Sequence, residues 1–292
     1  MNRRRWLCAT GAWAGLAGCT LNPDADHDGA DAPAGGALAR APRIAWVFSS
    51  GGPRGFVHVG VLKALDELAL VPELIVGASV GAVVGALCAG GMPAREIVAL
   101  ALEIDLLRLA RLAVGGSERL SGTAVRELVR EYVAPRRLEQ LPTPMVCVAQ
   151  RLADGAVVGF SHGDVGLAAQ AAAAIEGQFS PVRIRGQRYA DADRRMPLPV
   201  RLAKALGATR VLAVDASAHE DRAPAGAARY RDGDVLKRAL TQPDAALANL
   251  VLHPDFGYWV NLSREFRERA IEAGYRATLA QADRLRALHA VQ

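Results

Sequence analysis

Short apolar runs alternate with longer segments of helical spacing along most of the chain. Mainly apolar runs with the length of buried strands occur at 44–48, 74–76, 145–149, 156–160 and 210–214. Segments with apolar residues at helical spacing lie between and beyond them, at 57–68, 82–89, 93–113, 123–133, 166–175, 200–206 and 236–250. Strands that alternate with helices favour parallel sheets. The pattern therefore predicts an α/β fold with a largely parallel central sheet and helices on both of its faces.

The later segments without this pattern are polar. Residues 218–233 are polar and alanine-rich, which predicts a mobile loop, and 261–290 form a charged amphipathic terminal region. No internal repeat is visible in the sequence. We therefore assign residues 43–290 to one domain, which is within the usual size range.

The first residues have the composition of an export signal. Three arginines at 3–5 precede the apolar stretch 6–17, which is too short to span a bilayer as a mature helix. The sequence Leu-Ala-Gly-Cys at 16–19 resembles the lipobox of bacterial lipoproteins. We therefore expect a signal peptide at 1–18 and a lipidated Cys19, with a plain secretory signal as the alternative.

Lipidation at Cys19 would make a membrane of the bacterial cell envelope a partner of the protein. Thr20 stands where an aspartate is associated with inner-membrane retention, which favours the outer membrane and its periplasmic face. Residues 19–42 are rich in Ala, Gly, Asp and Pro and lack apolar periodicity. This composition predicts a flexible tether between anchor and domain.

The charge of the chain does not indicate a nucleic-acid partner. The sequence contains 35 basic and 30 acidic residues, a formal charge of +5. Residues 1–18 contribute three arginines and no acid, so 32 basic and 30 acidic residues remain from Cys19 onward, a charge of +2. Nucleic-acid binding is therefore not expected.

No metal ion or organic cofactor is expected either. Residues 24–29 imitate the first half of a calcium loop, but Gly35 stands where a bidentate glutamate is needed. Cys88 and Cys147 fall in predicted apolar elements, and we expect them to be small core residues. The sequence leaves the oligomeric state open.

The first candidate for chemistry is a G-x-S-x-G motif centred on Ser79. Its glycines, Gly77 and Gly81, stand between the apolar run 74–76 and the helical segment 82–89. In that context the motif predicts a nucleophile elbow, a sharp turn that lifts a serine hydroxyl above the sheet edge. Ser79 is therefore the candidate nucleophile.

A glycine-rich turn supplies the second candidate. Gly51, Gly52, Arg54 and Gly55 lie directly between the run 44–48 and the next helical segment. Backbone N–H groups at such a turn can stabilise an oxyanion. Pro53 has no N–H, so the donors are expected from Gly52, Arg54 or Gly55.

These motifs together resemble the patatin-like phospholipase family. Members of this family carry a glycine-rich oxyanion turn with an arginine, a G-x-S-x-G serine, and a later Asp-Gly-Gly or Asp-Gly-Ala aspartate. They use a Ser-Asp dyad without histidine. Matching the motifs places Ser79 on the nucleophile, Asp191 on the base, and Gly51 to Gly55 on the oxyanion turn.

The resemblance implies a three-layer patatin-like architecture and a serine acyl hydrolase that cleaves lipid carboxylic esters, as a phospholipase or lysophospholipase. The sequence departs from the family at Asp191-Ala192-Asp193, where glycine usually follows the aspartate, and at Glu176, where proline is usual. Ala192 would be strained if that position needs a glycine-only backbone conformation. Asp193 is the alternative base.

Three other interpretations remain open at this stage. A Ser-His-Asp triad could combine Ser79 with Asp191 or Asp215 and with His253 or His289. The departures after Asp191 could mark a catalytically impaired lipid-binding envelope protein on the same fold. Nucleotide binding by the glycine turn is disfavoured, because Ser50 occupies the first position of the G-x-G-x-x-G spacing.

Overall fold

The computed structural model describes residues 25–105, 111–112, 118 and 120–290. Its strands are β1 (Asp26–His27), β2 (Ile44–Phe48), β3 (Leu74–Ala78), β4 (Arg111–Leu112), β5 (Leu120–Ser121), β6 (Met145–Arg151), β7 (Val157–Phe160), β8 (Val182–Ile184), β9 (Gln187–Asp191), β10 (Arg210–Val214) and β11 (Leu250–Leu252). Its helices are α1 (Phe56–Glu67), α2 (Val80–Ala89), α3 (Ala94–Glu103), α4 (Thr123–Tyr132), α5 (Val165–Ala172), α6 (Val200–Ala205), α7 (Ala228–Ala245), α8 (Arg264–Leu279) and α9 (Ala282–His289).

One mixed sheet organises the part of the chain that the structure describes. Its strand order is β1-β8-β9-β6-β3-β2-β10-β11, and β7 also pairs with β6. Five neighbouring strands are parallel: β6, β3, β2, β10 and β11. On the other side of the sheet, β7 and β9 are antiparallel to β6, and β8 is antiparallel to β9. The outermost strand, β1, is parallel to β8. The predicted α/β class with a largely parallel sheet is confirmed, with an antiparallel extension on one side.

Alternate residues of the central strands face two separate cores. In β2, Trp46 and Phe48 pack into a large core with residues of α1, α2, α5 and α8. Ala45 and Val47 point to the other face and pack into a smaller core with Val200 and other residues of α6. This period of two is the geometry of a strand that is buried on both sides. The result is a three-layer arrangement with the sheet in the middle.

Two predicted elements differ from the structure. Of the helical segment predicted at 93–113, α3 covers Ala94–Glu103, and residues 106–110 and 113 lie outside the described part of the chain. Residues 111–112 form β4, which pairs with β5 as a small antiparallel ribbon. The predicted loop 218–233 is helical from Ala228 onward, because α7 begins there, and the helix predicted at 236–250 ends at Ala245. The last residue of that segment belongs to strand β11.

The predicted tether is also corrected over its described residues, 25–42. Asp26 and His27 add β1 to the outside of β8, and the Asp26 carboxylate accepts the Gly186 N–H at 2.8 Å. Further along, Ala34 forms an isolated bridge with His162. These backbone pairings hold a segment whose composition lacks apolar periodicity against the sheet.

The predicted signal peptide and Cys19 lie outside the described residues. None of the helices in the described ranges is long and apolar enough to cross a membrane.

Candidate active site

Ser79 lies at the turn between strand β3 and helix α2. Its backbone has φ 54° and ψ −127°, a combination that residues other than glycine rarely adopt. Strain of this kind persists only where the surrounding structure fixes it, and a nucleophile elbow is such a place. The residue is only 4% exposed, so its hydroxyl lies in a recess.

The packing explains why glycines flank Ser79. A Cβ atom on Gly77 would lie 2.5 Å from the Gly81 carbonyl oxygen, and one on Gly81 would lie 2.4 Å from the Phe48 carbonyl oxygen. Both neighbours are backbone atoms, which cannot rotate aside. The elbow therefore packs directly on its own strand and on the end of β2.

Asp191 ends strand β9, which is two strands away from Ser79 in the sheet. The pairing of β9 with β6 sets Asp191 opposite Ala149. The pairing of β6 with β3 sets Val148 opposite Ala78, the residue before Ser79. The sheet register therefore brings Asp191 level with Ser79 at the same edge.

The Asp191 carboxyl is buried and has an unusual acidity. Burial raises its pKa to about 7, the nearby charge of Asp193 adds to the rise, and the Ser79 hydroxyl, the Asp193 N–H and Lys237 act in the opposite direction. Oδ1 accepts the Asp193 N–H at 2.8 Å. Oδ2 is buried without a partner of full hydrogen-bond geometry. The Ser79 hydroxyl is therefore close to this carboxyl but is not aligned on Oδ2.

Asp193 is held by a second set of polar groups. Strand β9 ends at Asp191, so Asp193 does not continue it to the opposite face of the sheet. Asp193 Oδ1 accepts hydrogen bonds from the Ser50 hydroxyl and from Lys237 Nζ, the latter at 2.7 Å. Burial raises the pKa of Asp193, but the Lys237 charge and the two hydrogen bonds outweigh it, so the pKa is lowered. No sequence motif connects Lys237 to Asp193, and Ser50 was considered only for its spacing; both were missed as site residues.

The glycine-rich turn forms a short 3-10 helix, Gly52–Gly55. The Arg54 N–H donates to the Gly51 carbonyl oxygen at 3.1 Å, so this predicted oxyanion donor is already used. The N–H groups of Gly51 and Gly52 have no acceptor among the described residues. Gly52 also has φ 52°, which favours glycine at this position.

Gly55 connects the turn to the elbow. A Cβ atom on Gly55 would lie 2.3 Å from Cγ1 of Val80, the residue that follows Ser79. Val80 begins α2, where N–H groups have no intrahelical acceptor, and its own N–H has none within the described part of the chain. A nucleophile elbow commonly provides the amide at this position as an oxyanion donor. The sequence motifs predict oxyanion donors in the glycine turn only, so this amide is not among the predicted site groups.

The Arg54 side chain supports the loops around the turn. Its Nε donates to the Ala216 carbonyl oxygen at 3.2 Å, and its Nη1 donates to the carbonyl oxygens of Gly257 and Tyr258 at 3.0 and 3.1 Å. The guanidinium lies 4.4 Å from the centre of the Phe256 ring. Burial lowers the pKa of Arg54. These contacts are those of a residue that holds backbone in place.

The histidines considered for a triad make other contacts. His253 Nε2 lies 3.0 Å from the Ser217 carbonyl oxygen. His289 Nε2 accepts the Trp46 indole N–H at 3.1 Å, and its Nδ1 lies 2.8 Å from the carbonyl oxygen of residue 285. No histidine within the described ranges hydrogen-bonds to Ser79 or to Asp191. The Ser-His-Asp interpretation therefore has no geometric support.

His58 supports the end of β2. Its ring is fully buried, and its Nε2 donates to the Ser49 carbonyl oxygen at 2.9 Å. Burial lowers its pKa to about 4. A neutral histidine thus fixes the backbone directly before the glycine turn.

A cavity of about 320 Å³ opens beside the glycine turn. Its walls are formed by residues of the turn, of the loop after β10, of α7 and of the loop after β11: Gly51, Pro53, Arg54, Ala218, Tyr230, Asp234, Tyr258, Trp259 and Val260. Aromatic and apolar walls of this kind suit an apolar ligand group.

Neither cysteine of the described chain has the environment of a reactive thiol. Cys147 is buried in β6 and Cys88 is half-buried in α2, and burial raises the pKa of each to about 12. Within the described residues there is no group of three His, Cys, Asp or Glu side chains that could hold a metal ion.

The fold and the site together define an α/β protein with a serine on a strained strand-to-helix elbow and a buried carboxyl beside it. The family described as patatin-like phospholipase matches residues 46–204, more than half of the chain. The chain therefore belongs to the patatin-like phospholipase family, as its motifs predict.

Relatives of known sequence include an uncharacterized NTE family protein of Mycobacterium tuberculosis, which is 34% identical over 198 residues, or 67% of this chain and 54% of that protein. Patatin-like phospholipase domain-containing protein 6 of Homo sapiens is 26% identical over 186 residues, or 61% of this chain and 14% of that protein. The chain thus spans about half or less of the length of these relatives.

The fold is shared with a solved structure. VipD from Legionella pneumophila has a TM-score of 0.57 at 14% identity, with 85% of this chain and 68% of that chain covered. At this identity the likeness concerns the fold alone.

Proposed function

We propose that the protein is a serine acyl hydrolase that cleaves lipid carboxylic esters, as a phospholipase or a lysophospholipase. The observation that carries the proposal is the position of Ser79 on a strained elbow beside the Asp191 carboxyl, whose pKa burial raises to about 7. A carboxylate with an ordinary pKa near 4 is a poor base at neutral pH. The raised value makes Asp191 suitable without a histidine.

In the proposed reaction, Asp191 takes the Ser79 hydroxyl proton while Oγ attacks the ester carbonyl carbon. The N–H groups of Gly51, Gly52 and Val80 stabilise the negative charge on the carbonyl oxygen. The tetrahedral intermediate collapses, the alcohol leaves with the proton from Asp191, and an acyl-serine remains. A water molecule, deprotonated by Asp191, then attacks the acyl carbon and releases the fatty acid and the Ser79 hydroxyl.

A fluorophosphonate probe tests this assignment, because it labels only an activated serine. We expect labelling of the wild-type protein and of Asp193→Asn, and none of Ser79→Ala. Asp191→Asn should label at least about a hundredfold more slowly, since general-base catalysis contributes at least that much. Labelling at another serine, or unchanged labelling of Asp191→Asn, would contradict the proposed roles.

A catalytically impaired lipid-binding protein is the second candidate, and it is motivated by the Ala192 and Asp193 departures. Ala192 is buried and does not have a positive φ, so alanine is not strained at this position. The observation therefore favours an intact site. Lipid binding by a folded wild-type protein that neither labels nor hydrolyses any ester would favour the second candidate.

We further propose that Cys19 is lipidated after removal of residues 1–18 and that the lipid anchors the protein in the bacterial outer membrane, facing the periplasm. The motif at 16–19 supports this proposal. Mass spectrometry of the protein purified from membranes should show an N-terminal acylated Cys19, and Cys19→Ser should abolish the modification. An unmodified N-terminus at another residue would contradict the proposal.

A further inference from the structure

Exposed apolar side chains concentrate beside the cavity. The described chain has ten large apolar residues that are well exposed, and six of them lie in two short segments, 230–236 and 259–262: Tyr230, Val235, Leu236, Trp259, Val260 and Leu262. We call Tyr230, Trp259, Val260 and Leu262 the apolar rim. Single exposed apolar residues are normal on a protein surface, whereas a cluster of them marks an interaction site.

Direct contacts join the two segments of the rim. The rings of Tyr230 and Trp259 meet edge to face with their centres 5.9 Å apart. Tyr258, next to Trp259, donates its hydroxyl hydrogen bond to the Asp234 carboxylate on α7. The rim is therefore one surface built from α7 and the loop after β11.

Three residues of the rim are exposed and also line the cavity beside the glycine turn, so the rim lies at the entrance of that cavity. Tyr230, Trp259 and Val260 line this cavity together with Gly51 and Pro53 of the glycine turn. A ligand that enters the cavity toward the oxyanion donors therefore passes the rim. A protein seated over the rim would cover this entrance.

Two cations flank the rim. Arg229 is exposed and lies 4.5 Å from the centre of the Tyr230 ring, and Arg231 is exposed two residues further on. Neither has a carboxylate within ion-pair distance among the described residues. Exposed Trp and Tyr next to arginines that have no ion-pair partner in the described chain match the interface of a bilayer, where the rings lie at headgroup depth and the cations meet phosphates.

We propose that the apolar rim, with Arg229 and Arg231, docks on a phospholipid bilayer that contains anionic lipid. Docking places the entrance of the cavity on the lipid surface. The proposal rests on the proposed function, because a lipid ester must leave the bilayer to reach Ser79.

Trp259 supplies a local measurement. The full chain carrying Cys19→Ser, which removes the lipid anchor, is mixed with vesicles of phosphatidylcholine alone or with phosphatidylglycerol. The emission of the same protein with Trp259→Phe is subtracted. The other tryptophans, which are Trp46 in the core and those within residues 1–24, are present in both proteins, so the difference is the emission of Trp259. The Trp259 emission should shift to shorter wavelength, more strongly with phosphatidylglycerol.

Matched variants distinguish docking through the rim from non-specific binding of the protein to vesicles. Leu262→Glu should weaken the vesicle affinity that the Trp259 shift reports by about tenfold or more, because a charge replaces a leucine that docking would bury in the bilayer. Val71→Glu is the control, since Val71 is 73% exposed and precedes the first residue of β3, whereas Ser79 follows the last residue of that strand. The double variant Arg229→Gln and Arg231→Gln should lose the preference for phosphatidylglycerol. An unshifted Trp259, or equal effects of Leu262→Glu and Val71→Glu, would overturn the proposal.

A soluble short-chain ester distinguishes the two proposals. Hydrolysis of this ester requires no bilayer, so it tests the proposed function alone. If the wild type hydrolyses the ester but vesicles do not shift the Trp259 emission, the docking proposal is wrong and the proposed function stands. If Trp259 reports binding but no ester is hydrolysed, docking stands and the proposed function is wrong.

Discussion

Lys237 Nζ lies 2.7 Å from Asp193 Oδ1, which places a cation from α7 on the carboxylate two residues after the proposed base. The Asp193 N–H in turn donates to Asp191 Oδ1. The charges of Asp193 and Lys237 therefore act on the acidity of Asp191 in opposite directions: Asp193 raises the pKa of Asp191 and Lys237 lowers it.

Neutralising each partner should shift the pH dependence of activity in opposite directions. Asp193→Asn should move the acid limb of the kcat/KM profile to lower pH, because it removes the charge that raises the pKa of Asp191. Lys237→Met should move the same limb to higher pH. The measurement is ester hydrolysis from pH 5 to 9 for the three proteins. Shifts of the same sign would show that Asp193 and Lys237 support the structure of the site and do not set the pKa of Asp191 through their charges.

The wild-type profile should itself report the buried carboxyl. With a pKa of about 7 for Asp191, kcat/KM should fall with an apparent pKa near that value and lose about tenfold for each further unit of acid. Asp191→Asn should lack this acid limb in its residual activity. A wild-type limb near the ordinary carboxyl pKa would show that the pKa of Asp191 is not raised.

Asp191→Asn should also be more stable than the wild type at pH 8. The folded-state pKa of Asp191 is raised, so folding takes up a proton between the ordinary value of about 4 and the folded value of about 7. Wild-type stability from this group is therefore full at low pH and declines as pH rises through that window. Thermal unfolding should show a higher Tm for the variant at pH 8 and a much smaller difference at pH 4.5.

The backbone strain at Ser79 predicts a difference between two inactive variants. Ser79→Gly and Ser79→Ala both remove the hydroxyl, but only glycine adopts φ 54° and ψ −127° without cost. Denaturant unfolding should show Ser79→Gly to be more stable than Ser79→Ala by about 1 kcal/mol or more. Equal stabilities would mean that the elbow is not strained in solution.

Gly81→Ala should be strongly destabilising, by several kcal/mol on the order of the largest single-residue effects. The added methyl would lie 2.4 Å from the Phe48 carbonyl oxygen, so strand or helix must move. Gly233→Ala is the matched control, since nothing lies within 4 Å of a Cβ atom there and the residue is inside α7. Urea unfolding should show the control to be unchanged or more stable by up to about 1 kcal/mol.

The sequence was sufficient for the central strands and for the elbow. The predicted runs 44–48 and 210–214 have the same bounds as β2 and β10, because strands buried on both faces form continuous apolar runs. The position of Ser79 followed from local context alone, since its strand, its turn and its helix are adjacent in the chain.

Features that depend on distant contacts were not predictable in this way. The β1 segment has no apolar pattern and is ordered by backbone pairing with β8, and α7 was placed too late because its first turns are polar and exposed. Lys237 meets Asp193 only because α7 packs over the carboxyl ends of the strands. The free Val80 amide was missed because reasoning about oxyanion donors stopped at the glycine turn.

The strands at the two ends of the strand order are very short, since β1 has two residues and β11 has three. An outer strand offers unpaired backbone groups to which a strand of another molecule can add. Because β1 covers β8 and both β1 and β11 offer few such groups, pairing of two molecules through these strands would form few hydrogen bonds. Loss of the chain through His27 would uncover β8 and leave its backbone groups open to pairing with a strand of another molecule.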